Sequence, residues 1–379
     1  MKKVWLRRED KLGERRVPVT PVEVASLVAA GVQVTVESSL DRCYSDAEYE
    51  AAGAHLTELR WQDAPVDSVI IALKELDESL APIAHTQIHF SHTFKGQDSA
   101  KAVLERYALG GGKLYDLEFL HDSEGRRVAA FGYWAGFVGA ALGLLGYAHF
   151  SDPTESSIKS SIEPAKEANS FPPLAVYSSK AALIAAVDAA LASASALGEP
   201  PRVLVMGALG RCGSGARDLL VSLETTVHVS AWDMPEFAAA EKPIPEILTH
   251  DLFINCVYLR EPIAPMIDEE LLAKNTRLRI ISDVSCDPTS EGNPVRVYEA
   301  ITSIEKPFVR ARDGGGRPVY VQAIDHLPTL LPRESSQEYA AALFPSLFNF
   351  LISESESGTW REARLSFEAA CAGYGLFNH

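Results

Sequence analysis

The sequence predicts an α/β protein with two Rossmann-like domains, each built on a mainly parallel sheet, flanking a central cleft. Strand-like and helix-like segments alternate along the chain, as expected for parallel strands joined by helical crossovers. The chain has 379 residues, more than one hydrophobic core of ordinary size supports, so two domains are expected. In the second half, a strand-like run leads into three glycines and a helix, which is typical of a dinucleotide-binding domain.

The elements of the first half follow from local signals. Thr20 and Pro21 suit the N-cap and the first position of a helix, and Gly31 would end it. Alternating apolar and polar residues predict strands, and the turn at 122–125 separates two of them. We therefore predict helices at 21–30, 46–52 and 97–109, and strands at 4–7, 32–37, 66–73, 87–92, 114–120 and 127–131.

The second half repeats this pattern after an apolar stretch at 135–148, AGFVGAALGLLGYA. The stretch is shorter than the roughly 20 residues that span a bilayer, and its four glycines predict a buried helix packed closely against its neighbours. Residues 151–173 are expected to form a loop. Further helices are predicted at 179–197 and 337–350, and strands at 202–206, 227–231, 252–256 and 278–283.

The domain organisation follows from these elements. Because a terminal helix commonly packs back on the first domain, we expect a discontinuous substrate and catalytic domain of residues 1–135 plus 327–379. Residues 136–326 would form the dinucleotide-binding Rossmann domain.

The composition restricts the class of partner. The formal net charge of −16 argues against nucleic acid or an anionic membrane as the main partner, and favours small-molecule substrates. No apolar segment typical of a signal peptide follows the basic N-terminus. The five cysteines lack metal-site spacing, which predicts a cytoplasmic protein with mostly free thiols and no metal. We expect a monomer, although no sequence motif indicates the oligomeric state.

The glycine loop is the most specific motif. The strand-like run 202–206 leads into Gly207, Gly210 and Gly213, spaced GxxGxxG rather than GxGxxG. The first glycine would permit a tight turn, the second would let the backbone approach a pyrophosphate, and the third would let the helix pack closely on the strand. The helix N-terminus would bind the phosphates. Asp233 lies twenty residues after Gly213, at the position where an acid accepts hydrogen bonds from the adenosine ribose.

The acid at 233 favours NAD over NADP, because its charge would repel a 2′-phosphate. Arg211 is an opposing signal, since an arginine there could accept that phosphate; alternatively it contacts a phosphate or ribose of NAD. A P-loop is excluded, because no Gly-Lys-Ser/Thr follows. A tight βα turn that binds no ligand is the remaining alternative.

Two strands of the first half end in ionisable residues. The strand at 66–73 is followed by Lys74 and Glu75, and the strand at 87–92 ends at His92, shortly before Lys95. Ligands of open α/β sheets bind beyond the carboxyl ends of the strands. If the two strands are parallel neighbours, burial and Lys95 would lower the pKa of Lys74, making it a general acid or base with His92 as the second proton handler. The alternatives are a solvated lysine and a structural histidine.

Paired arginines occur on two loops, at 15–16 and 126–127. Their forked side chains suit carboxylate binding, and in each pair the first member is expected to be solvent-exposed. Glu118 lies in a strand-like segment near apolar residues. It would either tune a nearby lysine electrostatically or pair with an arginine.

Eight segments together resemble the fungal-type NAD-dependent, L-lysine-forming saccharopine dehydrogenases, relatives of alanine dehydrogenase. They are ERRVPVTP, ALKE, HFSHTFKGQ, LYDLEFLHDSEGRRVAAFGYWAGF, GALGRCGSGA, FINCVYL, DVSCD and AIDHLPTLLPRESS, and they run from about residue 7 to 336. The resemblance implies reversible oxidative deamination of saccharopine by NAD⁺ to L-lysine and 2-oxoglutarate, the last step of lysine biosynthesis through α-aminoadipate.

The resemblance also implies roles for individual residues. Lys74 would be the base for the secondary amine and His92 would activate water. The expected substrate contacts are Arg16, Lys95, Gln97 and Arg127, and Glu75 and Glu118 would adjust the charge of the site. The cofactor would be lined by Gly207, Gly210, Arg211, Gly213, Asp233, Tyr258, Val284, Ile324, Asp325, His326 and Leu327.

A disulfide between Cys212 and Cys256 is a further implication of the resemblance, although free thiols are expected in a reducing cell. Two other functions stay open on the sequence. One is another NAD-dependent opine or amino-acid dehydrogenase on the same scaffold, and the other is an NAD-binding regulator without catalysis.

Overall fold

The computed structural model describes residues 2–76, 79–91, 100–151, 171–195, 199–257, 263–286, 288, 290, 292–311, 317–353, 356 and 358–376. The chain divides into two compact units. The first comprises Met1–Ala130 and Pro332–His379, and the second comprises Phe131–Leu331. The first junction precedes the expected one because the apolar helix starting at Gly132 packs as a whole in the second unit. The second junction follows the expected one because Leu327, Leu330 and Leu331 are buried in the core of the second unit.

The described residues form twelve strands and ten α-helices. The strands are β1 (Lys3–Leu6), β2 (Gln33–Glu37), β3 (His55–Thr57), β4 (Ser68–Ile71), β5 (Thr86–His89), β6 (Lys113–Asp116), β7 (Arg202–Met206), β8 (His228–Trp232), β9 (Leu252–Asn255), β10 (Ile280–Asp283), β11 (Val309–Arg310) and β12 (Tyr320–Gln322). The helices are α1 (Pro21–Ala29), α2 (Asp46–Ala51), α3 (Ala100–Gly110), α4 (Gly132–Ser151), α5 (Lys180–Ser195), α6 (Arg211–Ser222), α7 (Met234–Ala239), α8 (Glu269–Leu272), α9 (Pro332–Ile352) and α10 (Gly358–Gly373).

The first unit contains a six-stranded sheet in the order β3-β2-β1-β4-β5-β6, and all its strand pairs are parallel. Helix α1 begins as predicted, because the Thr20 hydroxyl accepts from the Val22 N–H and forms a capping box with Glu23. The buried side of α10 carries Trp360 and Phe367, which pack within this unit. The prediction of a mainly parallel sheet is therefore confirmed for the first unit.

Two local predictions in the first unit are wrong. No strand forms at 127–131, where Arg127 makes only an isolated bridge to His121 across the turn at 122–125. The predicted strand at 114–120 is shorter, because the Asp116 carboxylate accepts from the Glu118 N–H and starts a 3-10 turn. The local hydrogen bond of an aspartate to the backbone two residues later competes with the strand ladder.

The second unit contains a six-stranded sheet in the order β11-β12-β10-β9-β7-β8, with only β11 antiparallel. The β7 strand has the predicted bounds, and its middle residues are fully buried. The fold class predicted from the sequence, two Rossmann-like units with mainly parallel sheets, is confirmed.

Helix α4 is buried along most of its length, as its glycines predict. A Cβ atom on Gly136 would lie 1.8 Å from the Cys212 carbonyl oxygen, and one on Gly215 would lie 1.9 Å from the Tyr133 carbonyl oxygen. The backbones of α4 and α6 therefore touch without intervening side chains. Among the described residues, no helix is both long and apolar enough to cross a membrane.

Candidate active site

Ionisable side chains collect at the carboxyl edge of the first sheet. Arg7 and Glu9 follow β1, Lys74 follows β4, and Asp116 ends β6. Since β1, β4 and β5 are adjacent and parallel, the residues after them lie at one edge of the sheet. The predicted parallel neighbourhood of β4 and β5 is confirmed, whereas three residues expected after β5 lie outside the described part of the chain: His92, Lys95 and Gln97.

Lys74 is mostly buried at this edge, with 15% of its side chain exposed. Its Nζ atom lies 4.0 Å from Oε2 of Glu14. Burial, and then the charge of Arg16, lower the pKa of Lys74, while the Glu14 and Glu75 carboxylates oppose this effect. The predicted direction of the pKa is confirmed, and the neighbouring cation that the structure identifies is Arg16. A lysine with a lowered pKa has a larger neutral fraction, which a general base requires.

The partner of Lys74 is itself part of a buried ion pair. Glu14 accepts from Nε of Arg16 at 2.8 Å and from Nη2 at 2.6 Å, and both side chains are almost fully buried. Burial would raise the pKa of Glu14, but the charge and hydrogen bonds of Arg16 and the charge of Lys74 hold it at about 2. The sequence prediction did not include Glu14. A signal was available, because a buried arginine needs a counter-charge and Glu14 lies two residues before Arg16.

Arg7 and Glu9 hold the main chain at Lys74. The Glu9 carboxylate accepts from the N–H groups of Leu73 at 2.6 Å and Lys74 at 2.9 Å. Nη2 of Arg7 donates to the carbonyl oxygens of Lys74 at 2.5 Å and Glu75 at 3.3 Å. Two residues that follow β1 thus bond to the N–H and carbonyl groups of the chain after β4. The sequence prediction missed both, because their partners are more than 60 residues away.

The segment after β6 contributes a second acid–arginine pair. Oε1 of Glu118 accepts from Nη2 of Arg127 at 2.6 Å, with 37% of the Arg127 side chain exposed. Of the two outcomes expected for Glu118, pairing with an arginine is the one observed. Arg15 and Arg126, the first members of the arginine pairs, are exposed as predicted.

The glycine loop of the second unit has the geometry that its spacing predicts. Gly207 adopts φ +80°, which favours glycine, and a Cβ on Gly213 would lie 2.1 Å from the Gly207 carbonyl oxygen. Gly210 is the N-cap of α6, and a Cβ there would meet only the Gly207 oxygen at 3.4 Å. The protein's own packing therefore requires glycine at 207 and 213 and leaves space beside Gly210. This open space at a helix N-terminus fits a pyrophosphate.

Asp233 ties the end of β8 to this loop. Its Oδ2 atom accepts from the Leu209 N–H at 2.7 Å, and Oδ1 accepts from the Met234 N–H at 2.8 Å. Asp233 also caps helix α7. A ribose contact, which stays a prediction, would add to these bonds. Arg211, the first residue of α6, is exposed.

The remaining candidate cofactor residues differ in the exposure of their side chains. Ile324 and Leu327 are buried in the core of the second unit, so a contact with a cofactor would use their main-chain atoms. Asp325 is exposed and pairs with Nδ1 of His326. Val284 follows β10 and packs closely on Gly139 of α4, where an added Cβ atom would lie 2.5 Å from Cγ2 of Val284. Tyr258 lies outside the described residues.

Cys212 and Cys256 are neighbours in the second unit. Both are free thiols, so the disulfide implied by the resemblance is not formed in this structure. Hydrogen bonding to Cys212, together with burial, raises the pKa of Cys256 well above its ordinary value. Among the described residues, no group of three or more His, Cys, Asp or Glu side chains could hold a metal ion.

Comparison with known proteins identifies the family. Residues 5–138 match the family described as alanine dehydrogenase/PNT, N-terminal domain. Over 97% of this chain and 96% of the relative, 42% of residues are identical to a saccharopine dehydrogenase [NAD(+), L-lysine-forming] of Yarrowia lipolytica. The protein of that name from Candida glabrata is 42% identical over 96% of this chain and 95% of its own.

The chain belongs to the NAD⁺-dependent, L-lysine-forming saccharopine dehydrogenase family. A solved structure of L-alanine dehydrogenase covers 99% of this member, with a TM-score of 0.63 and 14% sequence identity, which supports the fold alone. In this family member, the described part of the carboxyl edge brings together Lys74, Glu14 and Arg16. It also contains the separate pair of Glu118 and Arg127.

Proposed function

We propose that this protein catalyses the NAD⁺-dependent, reversible conversion of saccharopine to L-lysine and 2-oxoglutarate. The observation that carries the proposal is 42% identity over 97% of the chain with an enzyme named for this activity. The glycine loop, with open space beside Gly210, provides a site for the dinucleotide. The lowered pKa of Lys74 provides a group for proton transfer.

The residues of this chain divide the chemistry between them. NAD⁺, when bound, supplies the hydride acceptor. Lys74 in its neutral form accepts the proton of the secondary amine, and the adjacent Glu14 carboxylate stabilises the ammonium form that results. Arg127 and Arg16 are the candidate ligands for substrate carboxylates; each already bonds to a glutamate, so a substrate carboxylate would share its guanidinium with that acid.

Several finer assignments remain predictions. They include activation of water by His92, contacts from Lys95, Gln97 and Tyr258, the monomeric state and a cytoplasmic location. The family resemblance supports the residue roles, and the scattered thiols support a reducing compartment.

The activity is tested by following NADH oxidation with 2-oxoglutarate and L-lysine. Turnover is expected with this pair of substrates and not with pyruvate or other amines in place of either one. Turnover only with pyruvate or another amine would instead favour a different opine or amino-acid dehydrogenase. Tight NADH binding without any turnover would favour a regulator.

The proton-transfer role is tested with Lys74→Met. We expect kcat to fall by roughly 10²- to 10⁴-fold, the usual contribution of a positioned base, while the Kd for NADH changes little. The matched control is Lys101→Met, which removes an exposed lysine on α3 that pairs with Glu105 at 3.6 Å. A fully active Lys74→Met enzyme would refute the assignment.

A further inference from the structure

A polar cavity lies in the unit Phe131–Leu331, at the amino end of its sheet. Its volume is about 490 Å³, within the range of small-molecule sites. Its walls include Pro201, Asp251 and Arg279, which directly precede β7, β9 and β10. The glycine loop follows the other end of β7, about 16 Å away along five residues of extended chain. The cavity is therefore separate from the dinucleotide loop.

The acids of the cavity are already matched with arginines. Oδ2 of Asp251 accepts from Nε of Arg277 at 3.1 Å and from Nη2 at 2.8 Å, which neutralises one of the three arginines in the wall. Glu199 is 76% exposed and forms an ion pair with Arg202 at 3.8 Å. Among the described residues, no carboxylate forms an ion pair with either of the other two arginines.

Those two arginines are Arg279 and Arg317. Nη1 of Arg279 donates to the Ser151 hydroxyl at 2.8 Å, and its guanidinium carbon lies 5.6 Å from the centre of the Tyr147 ring. Its Nε atom is buried and has no hydrogen-bond partner among the described residues. Burial, and then the charge of Arg317, lower the pKa of Arg279. The charges of Tyr147 and Asp251 oppose this effect, but an arginine stays protonated. Arg279 and Arg317 are therefore two cations in one wall, and neither forms an ion pair with a carboxylate in the described part of the chain.

We propose that this cavity binds a small dianion, a dicarboxylate or a phosphate, that bridges Arg279 and Arg317. Guanidinium forks match the oxygens of both groups, and a bound dianion would remove the repulsion between the two cations. The apolar faces of Tyr147 and Leu191 in the same wall would cover the body of the ligand. The net charge of the chain is −16, so this cationic cavity contrasts with the acidic protein around it.

The test is isothermal titration calorimetry on the full chain saturated with NADH, which fills the dinucleotide loop. One arm titrates inorganic phosphate and the other titrates succinate, with chloride keeping the ionic strength constant. We expect saturable binding of at least one probe at one site per chain, and the arm with the lower Kd identifies the acidic group. Arg279→Gln and Arg317→Gln should each weaken that binding about ten-fold or more, since each removes a charge-assisted hydrogen bond.

The matched control is Arg217→Gln, an exposed arginine on α6 in the same unit, which should leave the Kd within two-fold. Arg279 also packs against Tyr147, so the exposed Arg317 is the variant that separates binding from folding. The proposal would be overturned by no saturable binding of either probe. It would also be overturned by an unchanged Kd in Arg317→Gln, or by an equal loss in Arg217→Gln.

Discussion

The contact between α4 and α6 gives a prediction whose size follows from the structure. Each helix places a glycine against the main chain of the other, Gly136 against the Cys212 carbonyl and Gly215 against the Tyr133 carbonyl. The perturbation is Gly136→Ala. Its new Cβ would start 1.8 Å from the Cys212 oxygen. Real Cβ atoms stay at least 3.0 Å from other atoms, so the helices would have to separate by 3.0 − 1.8 = 1.2 Å.

Two opposing effects decide the sign. Alanine favours a helix over glycine by about 1 kcal/mol. Overpacking a closely packed site costs about 1–3 kcal/mol, and the upper end applies here because backbone rather than a flexible side chain must move. The expected net loss is about 2 kcal/mol in the free energy of unfolding. For a unit of this size, that corresponds to a fall in Tm of roughly 4–8 °C.

Thermal unfolding followed by circular dichroism measures this loss. The matched control is Gly132→Ala on the same helix, whose Cβ would have its nearest contact with the flexible Arg211 side chain, at 3.5 Å. We expect the control to keep the wild-type Tm within about 2 °C, since substitutions outside tight contacts usually change stability by less than 0.5 kcal/mol. If Gly136→Ala has a Tm no lower than that of Gly132→Ala, the main chains of α4 and α6 are not as close as Gly136 indicates, and the predicted effect of this contact is refuted.

Three further predictions concern the two sites. Glu14→Gln leaves the buried Arg16 without its carboxylate and should destabilise the protein by about 3–5 kcal/mol in urea unfolding. The double variant Glu14→Gln/Arg16→Gln should recover part of this loss, and no recovery would contradict the pairing. Because the pKa of Glu14 is held at about 2, below its ordinary value, the pair stabilises the fold above about pH 4.5 and less as the pH falls towards 2. The wild-type free energy of unfolding should therefore fall more steeply in this range than that of Glu14→Gln, and parallel curves would argue against it. Gly213→Ala would place a Cβ 2.1 Å from the Gly207 oxygen and should raise the Kd for NADH at least ten-fold in fluorescence titration; an unchanged Kd would exclude a role of this close packing in cofactor binding.

The features that the sequence predicted well are local. The strand β7, the turn at Gly207 and the close packing at Gly213 each depend on a few consecutive residues, and their geometry follows from the spacing alone. Helix α4 was predictable for a similar reason, since an apolar stretch with repeated glycines fits a buried helix. Lys74 was found because it lies at the end of an apolar run that forms a buried strand.

The features that were missed depend on residues far apart in the chain. Arg7 and Glu9 act on the main chain at Lys74 only because β1 pairs with β4, and nothing near residue 7 indicates that pairing. Glu14 contacts Lys74 across 60 residues for the same reason. Helix α10 was also missed, although the signal for it is local. Its buried residues follow helical spacing that the sequence displays: Trp360, Ala363, Phe367 and Cys371.

The position of Glu9 has a consequence for the balance between stability and activity. Burial raises the pKa of Glu9 above its ordinary value, although Arg7 and the two N–H groups it binds oppose this. A carboxyl group with a raised pKa stabilises the fold at low pH and does so less as the pH rises through that pKa. Raising the pH through that pKa therefore reduces the stability that Glu9 contributes to the fold. The acid that positions the main chain at Lys74 thus also makes the stability of the fold depend on pH.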